Sequence, residues 1–315
     1  MQYYLAPLEG VTGYVFRNAY HANFDAMDKY FVPFIRPTYT GKYGSREIND
    51  LSPDNNKGMH AIPQILTNKA EDFIRSALWL KELGYEEVNL NLGCPSKTVI
   101  SKFCGSGFLA KPDELDCFLE EICEKVPMKI SVKTRIGKLD ADEFGNLLEI
   151  YNRHPLSEVI VHPRLQTDFY KGSPDWDVFE LAVKECKHPL CYNGDIFSKA
   201  DFERFTERFP TVDRIMLGRG ILRNPGLVEE LKDMPEVEIE RLRKFHDRLY
   251  GDYQEVSYGE KNVLFKMKEF WFYFGEYFPD GKKPLKKIKK SERLINYEEA
   301  VDELFRSLSE KIIRK

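Results

Sequence analysis

Short apolar runs alternate with longer amphipathic ones through most of the chain. The runs Tyr3–Pro7, Tyr30–Phe34, Ala61–Leu66, Glu87–Leu92, Lys129–Lys133, Glu158–His162, Pro189–Asn193 and Arg214–Leu217 have the length and apolar content of buried parallel strands. Between them, apolar positions three and four residues apart predict helices. These cover Tyr14–His21, Ala70–Leu83, Pro112–Glu124, Ala141–Asn152, Asp175–Glu185 and Lys199–Arg208. Strand then helix, repeated about eight times over roughly 230 residues, is the rhythm of an α/β fold of the (β/α)8 or TIM-barrel type. A doubly wound open sheet is the competing architecture. It requires a Gly-x-Gly-x-x-Gly turn after the first strand, and here that strand ends in Ala6-Pro7-Leu8-Glu9-Gly10.

The pattern changes near Pro235. Beyond it the apolar spacing is helical throughout, over Arg241–Tyr250, Tyr258–Tyr277 and Tyr297–Lys315, with no strand between. We therefore expect a barrel domain over 1–235 and a small all-helical C-terminal domain over 236–315. The whole chain has a formal charge of −4, yet 236–315 holds 18 Lys and Arg against 16 Asp and Glu. Its cations are concentrated: Lys282, Lys283, Lys286, Lys287, Lys289, Lys290 and Arg293 are opposed within that stretch only by Glu292. Such a run is either a solvated helix face or a contact for a polyanion. Just upstream, Phe270-Trp271-Phe272-Tyr273-Phe274 is too apolar for an exposed face and is expected in the core.

Composition narrows the class. At 315 residues and 42% hydrophobic, the chain can bury a sizeable core. It has no apolar run of about 18 residues, the minimum for a membrane span. The start, Met1-Gln2-Tyr3-Tyr4-Leu5, enters a strand pattern at once and lacks the features of a signal peptide, so a cytoplasmic protein is expected. The cysteines Cys94, Cys104, Cys117, Cys123, Cys186 and Cys191 form no Cys-x-x-Cys pair and no zinc spacing. Reduced thiols and no metal site are expected.

Candidate chemistry gathers where the strands end. Glu9, Gln64, Asn91, Cys94, Lys133, Arg135, His162, Arg164, Asn193, Asp195 and Arg219 all fall at or just past a strand's carboxyl end. In a barrel that edge is the catalytic one. Cys94 stands on a turn fixed by Gly93 and Pro95; position alone is equally compatible with an inert buried thiol. Alternation puts Lys133 and Arg135 on one face of their strand. An inward charge requires a ligand or a partner, Glu9 and Asp195 being candidates for the latter. His162 with Arg164 and Tyr170 suits a cationic, aromatic mouth. Asn193-Gly194-Asp195 and Gly218-Arg219-Gly220 end the seventh and eighth strands, where barrels commonly hold a phosphate.

Leu5–Arg17, Asn91–Val99, Ser131–Gly137, Val161–Trp176, Asn193–Ile196 and Met216–Pro225, in that order, resemble the motifs of the tRNA-dihydrouridine synthases. The resemblance covers the barrel from end to end, and the basic tail is similar to the RNA-binding domain of that family. It implies a monomeric flavoenzyme that uses FMN, with NADPH as electron donor, to reduce the C5–C6 bond of a uridine in tRNA. By the same resemblance, Cys94 is the acid that protonates C5. Pro7, Leu8, Glu9, Gln64, Lys133 and His162 contact the isoalloxazine. Asn193, Gly194, Asp195, Gly218 and Arg219 hold the ribitol phosphate. Asn91, Arg135 and Arg164 contact the nucleotide, and Lys286, Lys287, Lys289 and Lys290 contact the tRNA. The chain departs from the family in the loop Ser101–Ser106, where Phe103 and Cys104 stand at positions often held by Gly, and at Pro163 and Leu165. Two alternatives stay open: a flavin barrel reducing a small molecule, and an inactive tRNA-binding relative.

Overall fold

A computed structural model describes residues 1–24, 27–38 and 41–313. Nine parallel strands make one sheet: β1 (Gln2–Leu5), β2 (Lys29–Phe31), β3 (Ala61–Ile62), β4 (Gln64–Ile65), β5 (Glu87–Leu92), β6 (Lys129–Gly137), β7 (Glu158–Leu165), β8 (Leu190–Tyr192) and β9 (Arg214–Leu217). Their order is β3-β2-β1-β9-β8-β7-β6-β5-β4. The two ends of that order, β3 and β4, are consecutive in the chain and separated only by Pro63. They are one strand interrupted by a residue without an N–H. The sheet therefore closes into an eight-stranded barrel, and the Pro63 carbonyl still accepts from the Asn89 N–H at 2.9 Å.

Helices follow the strands as the apolar spacing predicts. Observed spans include Tyr14–Phe24, Ala70–Glu82, Pro112–Lys125, Glu143–Arg153, Trp176–Glu185 and Lys199–Arg208. The clearest differences from expectation are at β6 and β7, which run on to Gly137 and Leu165. Their extra residues carry Arg135 and Arg164, whose side chains bond to the loops above and hold those ends extended. The barrel's apolar centre is Tyr4, Ala6, Phe31, Ile62, Ile160, Cys191 and Met216, with Leu8 packed on it. Burying Phe31, Ile62, Ile160 and Met216 contributes about 1.5–3 kcal/mol each.

Contacts divide the chain into two compact units. One holds the strands. The other gathers the helix Tyr14–Phe24, residues Ile196–Phe202 and the chain from Gly218 onward. In this second unit Phe16, Phe24 and Phe270 surround Phe245, with ring centroids 5.9, 5.4 and 5.7 Å away. The tail helices are Ile239–Val256, Glu260–Phe274, Lys282–Lys290 and Leu294–Ile313. The lysine cluster forms a helix of its own, anchored by buried Pro284 and Ile288. Phe270, Trp271 and Phe274 lie in the core as expected, but Phe272 does not: it is 70% exposed. The end of the expected last helix, Arg314-Lys315, lies outside the described residues. No helix among the described residues is long and apolar enough to cross a membrane.

Candidate active site

β5 delivers the central turn. Alternation along Glu87, Asn89 and Asn91 sends three polar side chains to one face while Val88, Leu90 and Leu92 pack on the other. The Asn91 Oδ1 accepts from the backbone N–H of Gly93 at 3.1 Å and of Cys94 at 2.9 Å. Its Nδ2 donates to Gln64 Oε1 at 2.6 Å. Gln64 donates in turn to Asn89 Oδ1 at 2.7 Å, and Asn89 to Ser131 Oγ at 2.9 Å. The chain continues through Glu87 to Lys29, which pairs with Glu87 at 2.9 Å and Glu158 at 3.3 Å. Tyr4 closes it by donating to Glu158 at 2.8 Å. Each of these buried polar groups has a partner, which is what makes the Cys94 turn rigid.

The other side of the turn is fixed as firmly. The Cys94 carbonyl accepts from Ser106 N at 3.1 Å and Ser106 Oγ at 2.9 Å. Gly105, at φ +56°, lets this approach happen: a Cβ there would lie 2.7 Å from that carbonyl. Phe103, two residues earlier, holds φ +53° with a side chain and is 45% exposed. The left-handed conformation suited to Gly is thus adopted here by Phe, at a strain of about 1–3 kcal/mol. Burial pushes the Cys94 thiol above its ordinary pKa, partly offset by the Ser96 backbone N–H. The thiol is therefore protonated at neutral pH, the state of an acid rather than a nucleophile.

Lys133 sits opposite Asn91 in the β5–β6 register, and Arg135 opposite His162 in β6–β7. Thr134, between them, faces the other way and meets the Tyr151 hydroxyl at 2.9 Å. Burial, with Arg135 adding to it, brings the Lys133 pKa down to about 8. Its ammonium meets no hydrogen-bond or ion-pair partner among the described residues. The two carboxylates that could have neutralised it are engaged elsewhere: Glu9 lies 3.8 and 4.0 Å from Arg36 and Arg46, and Asp195 lies 2.6 Å from Arg164.

Arg135 and Arg164 are each 1% exposed. Arg135 donates to the carbonyls of Gly93 at 2.9 Å, Leu165 at 2.7 Å and Phe169 at 2.6 Å. It thereby ties the Cys94 turn to the loop after β7. The Tyr170 ring, 55% exposed, lies over its guanidinium at 5.5 Å. Arg164 donates to Gly172 O at 2.6 Å and Asp195, and to His162 Nε2 at 2.9 Å. A guanidinium only donates, so His162 Nε2 is the bare nitrogen of a neutral ring. Asn193 Nδ2 donates to Met216 O at 2.8 Å and joins the ends of β8 and β9. At Gly194 a Cβ would lie 2.0 Å from the Tyr192 hydroxyl, so no side chain fits.

The structure thus brings Glu9, Gln64, Asn91, Cys94, Lys133, Arg135, His162, Arg164, Asn193, Gly194 and Asp195 to one edge of the barrel unit. Pro7 and Leu8 end the segment from β1, with Leu8 on the apolar centre. Gly218 and Arg219 open the helix Arg219–Arg223 and cluster with the second unit, where Arg219 lies 5.5 Å from the Phe197 ring. Lys286, Lys287, Lys289 and Lys290 are exposed on their helix in that same unit, Lys287 paired with Glu303. Sequence reading missed Asn89, Ser131, Glu87 and Ser106. The first three were accessible to it, since they share the alternation of Asn91 and Lys133; Ser106 had no local signal.

Parallel eight-stranded topology, with a rigid cysteine turn and an inward lysine at the carboxyl edge, defines an enzyme barrel. Solved structures agree on the fold. The chain aligns to morphinone reductase with a TM-score of 0.52 at 14% identity, covering 78% of this chain and 88% of that one. It aligns to the old yellow enzyme from Trypanosoma cruzi with a TM-score of 0.51 at 13% identity, covering 81% and 94%. Among curated proteins, a probable tRNA-dihydrouridine synthase of Staphylococcus aureus (strain COL) is 27% identical over 261 residues, 80% of this chain and 78% of that protein. The probable tRNA-dihydrouridine synthase 2 of Bacillus subtilis (strain 168) is 27% identical over 259 residues, with the same coverage. The profile of the dihydrouridine synthase (Dus) family matches residues 4–295. This chain belongs to the dihydrouridine synthase family and is an oxidoreductase.

Proposed function

We propose that this enzyme reduces the C5–C6 bond of a uridine in tRNA, with FMN bound in the barrel and NADPH as the source of electrons. The observation that carries the reading is the rigid Cys94 turn, with a protonated thiol beside an inward Lys133 that has no partner among the described residues. A protein of this family needs such an acid, and that inward, part-buried cation fits an anionic ring system. When bound, the flavin supplies the hydride for C6 that no side chain can. Cys94 donates the proton to C5 from the opposite face of the uracil. Lys133 would supply positive charge where the isoalloxazine carries negative charge, and Gln64, His162 and the Pro7-Leu8-Glu9 segment are assigned to contacts with the same ring system.

Asn193, Gly194 and Asp195, and separately Gly218 and Arg219, are assigned to the ribitol phosphate. Asn91, Arg135 and Arg164 act on the substrate through what they hold: the Cys94 turn for Asn91 and Arg135, and the loop from Phe169 to Gly172 for Arg135 and Arg164. Lys286, Lys287, Lys289 and Lys290 take RNA phosphates. The uridine leaves its stack to be read, at a cost of a few kcal/mol.

The test is mass spectrometry of nucleosides from unmodified tRNA incubated with flavin-loaded protein and NADPH. A gain of about two mass units on uridine, the two hydrogens added in reduction, is expected. Bound flavin with no such product across many tRNAs would instead support reduction of a small molecule.

A further inference from the structure

The helix Glu260–Phe274 has a buried face and an unusual exposed one. Val263, Leu264, Met267, Phe270, Trp271 and Phe274 are buried. On the other side Phe265 is 64% exposed and Phe272 70% exposed; Tyr258, just before the helix, is 95% exposed. These three aromatics stand seven residues apart. Seven residues are nearly two full helical turns, so Phe265 and Phe272 share one face about 10.5 Å apart along the axis. The Tyr258 backbone is tied to the first turn by Asn262, whose Nδ2 donates to its carbonyl at 2.7 Å. Soluble proteins seldom align large exposed rings in this way unless the surface is used.

The charge around the rings identifies the occupant. Lys261 and Lys268 lie four residues before and three after Phe265, on its face. The Lys268 ammonium donates to the Ser291 carbonyl, where the lysine helix Lys282–Lys290 ends. The Leu294 N–H donates to Glu260 at 3.4 Å. The aromatic face is therefore continuous with the basic stretch, including exposed Lys289, Lys290 and Arg293. Of the acids on this helix, Glu269 faces Lys266 at 3.4 Å and Glu260 accepts from the Leu294 N–H. A second copy of the chain, packed about a two-fold axis, would bring these cations against themselves. A polyanion with exposed aromatic bases matches both features at once.

We propose that the face bearing Tyr258, Phe265 and Phe272 is a stacking platform for unpaired nucleobases of the RNA substrate, with the flanking lysines holding its phosphates. This rests on the tRNA reading above. Binding of unmodified tRNA transcript by fluorescence anisotropy, over a series of salt concentrations, tests it in the flavin-loaded full chain. F265A/F272A is expected to weaken binding by about tenfold per ring with the slope of affinity against salt unchanged. F265W/F272W is expected to retain tight binding, whereas K289E/K290E is expected to make the salt slope shallower. NADPH-driven flavin reduction without RNA should be the same in F265A/F272A and F265W/F272W as in the wild type and reports on the barrel alone. Wild-type affinity in F265A/F272A, from an enzyme that does make dihydrouridine, would overturn the platform and leave the function standing. A wild-type dimer in sedimentation that F265A/F272A dissolves would overturn it in favour of self-association. A wild-type protein that makes no dihydrouridine on any tRNA would remove the RNA substrate on which the platform depends.

Discussion

The two units handle charge in opposite ways. The barrel takes its cations inside: Lys133, Arg135 and Arg164 are inward or buried, and the two arginines are fixed by backbone carbonyls, with Asp195 and His162 as further partners of Arg164. The tail keeps its lysines on the surface and fills its interior with rings, Phe245, Phe270 and Phe274 among them. The difference follows from the tasks we assign to them. A reacting atom needs a donor placed to a fraction of an ångström in a dry site, which buried and fully bonded groups provide. A long polyanion needs many weak contacts without exact geometry, which solvated lysines provide.

The sharpest way to break the comparison is at Cys94. Cys94→Ala should lower dihydrouridine formation by about 10²–10⁴-fold while flavin remains bound, as judged by nucleoside mass spectrometry and the flavin spectrum. Wild-type turnover would remove the thiol from the chemistry and with it the case for a dedicated barrel acid.

Arg135→Ala comes next. It leaves three part-buried carbonyls without their donor, and about 1–3 kcal/mol of stability should go. Thermal unfolding of the flavin-loaded protein measures that. Arg135→Lys should recover little of it, because one ammonium cannot reproduce the three directed bonds. If Arg135→Lys were fully stable, the guanidinium would be acting as a mere charge, as in the tail.

The tail buries a histidine, which sharpens the contrast. His246 is 1% exposed. Trp271 donates to the Tyr297 hydroxyl at 2.8 Å, and that hydroxyl lies 2.6 Å from His246 Nε2, while Nδ1 faces Asp247 at 2.8 Å. The ring is neutral, and burial lowers its pKa below the ordinary 6.5. The unfolded chain then takes up a proton at a pH where the folded chain does not. The contribution of His246 is complete above about pH 6.5 and is lost as pH falls through the lower folded value. Hydrogen exchange on the full chain should show the helices 239–256 and 294–313 opening faster at pH 5 than at pH 7, with the barrel strands less affected. Equal acid sensitivity in both units would rule out His246 as the cause.

The smallest effect is expected at the lysines. Charge reversal at Lys286 and Lys290 should weaken tRNA binding severalfold at low salt and little at high salt, without moving the flavin spectrum. Salt-independent loss would mean that these side chains are built into a fixed site, as Arg135 is.

Much of the barrel was legible in the chain. Glu87–Leu92, Arg214–Leu217 and Lys199–Arg208 have the same bounds in sequence and structure, because hydrophobic period is set locally. The placement of Cys94 after a buried strand was legible for the same reason. The lysine helix was not: Pro284 at its start and few apolar positions give it a weak signal, and Ile288 becomes informative only once buried. The left-handed Phe103 was also hidden, since nothing local favours φ +53° in a phenylalanine.

Period and order in the sequence determined the eight-strand rhythm, the strand-end chemistry and the helical, basic tail, all properties that neighbouring residues settle among themselves. Tertiary structure alone decided which polar groups are already satisfied. Arg135 reaches Phe169 across 34 positions, and Asn91 reaches Gln64 across 27. Closing the barrel brings these pairs together and leaves Lys133 without a partner among the described residues. It likewise took the packing of the tail to turn Phe270 inward and Phe272 outward, because about half a helical turn separates the two and only the neighbouring helices decide which side is which.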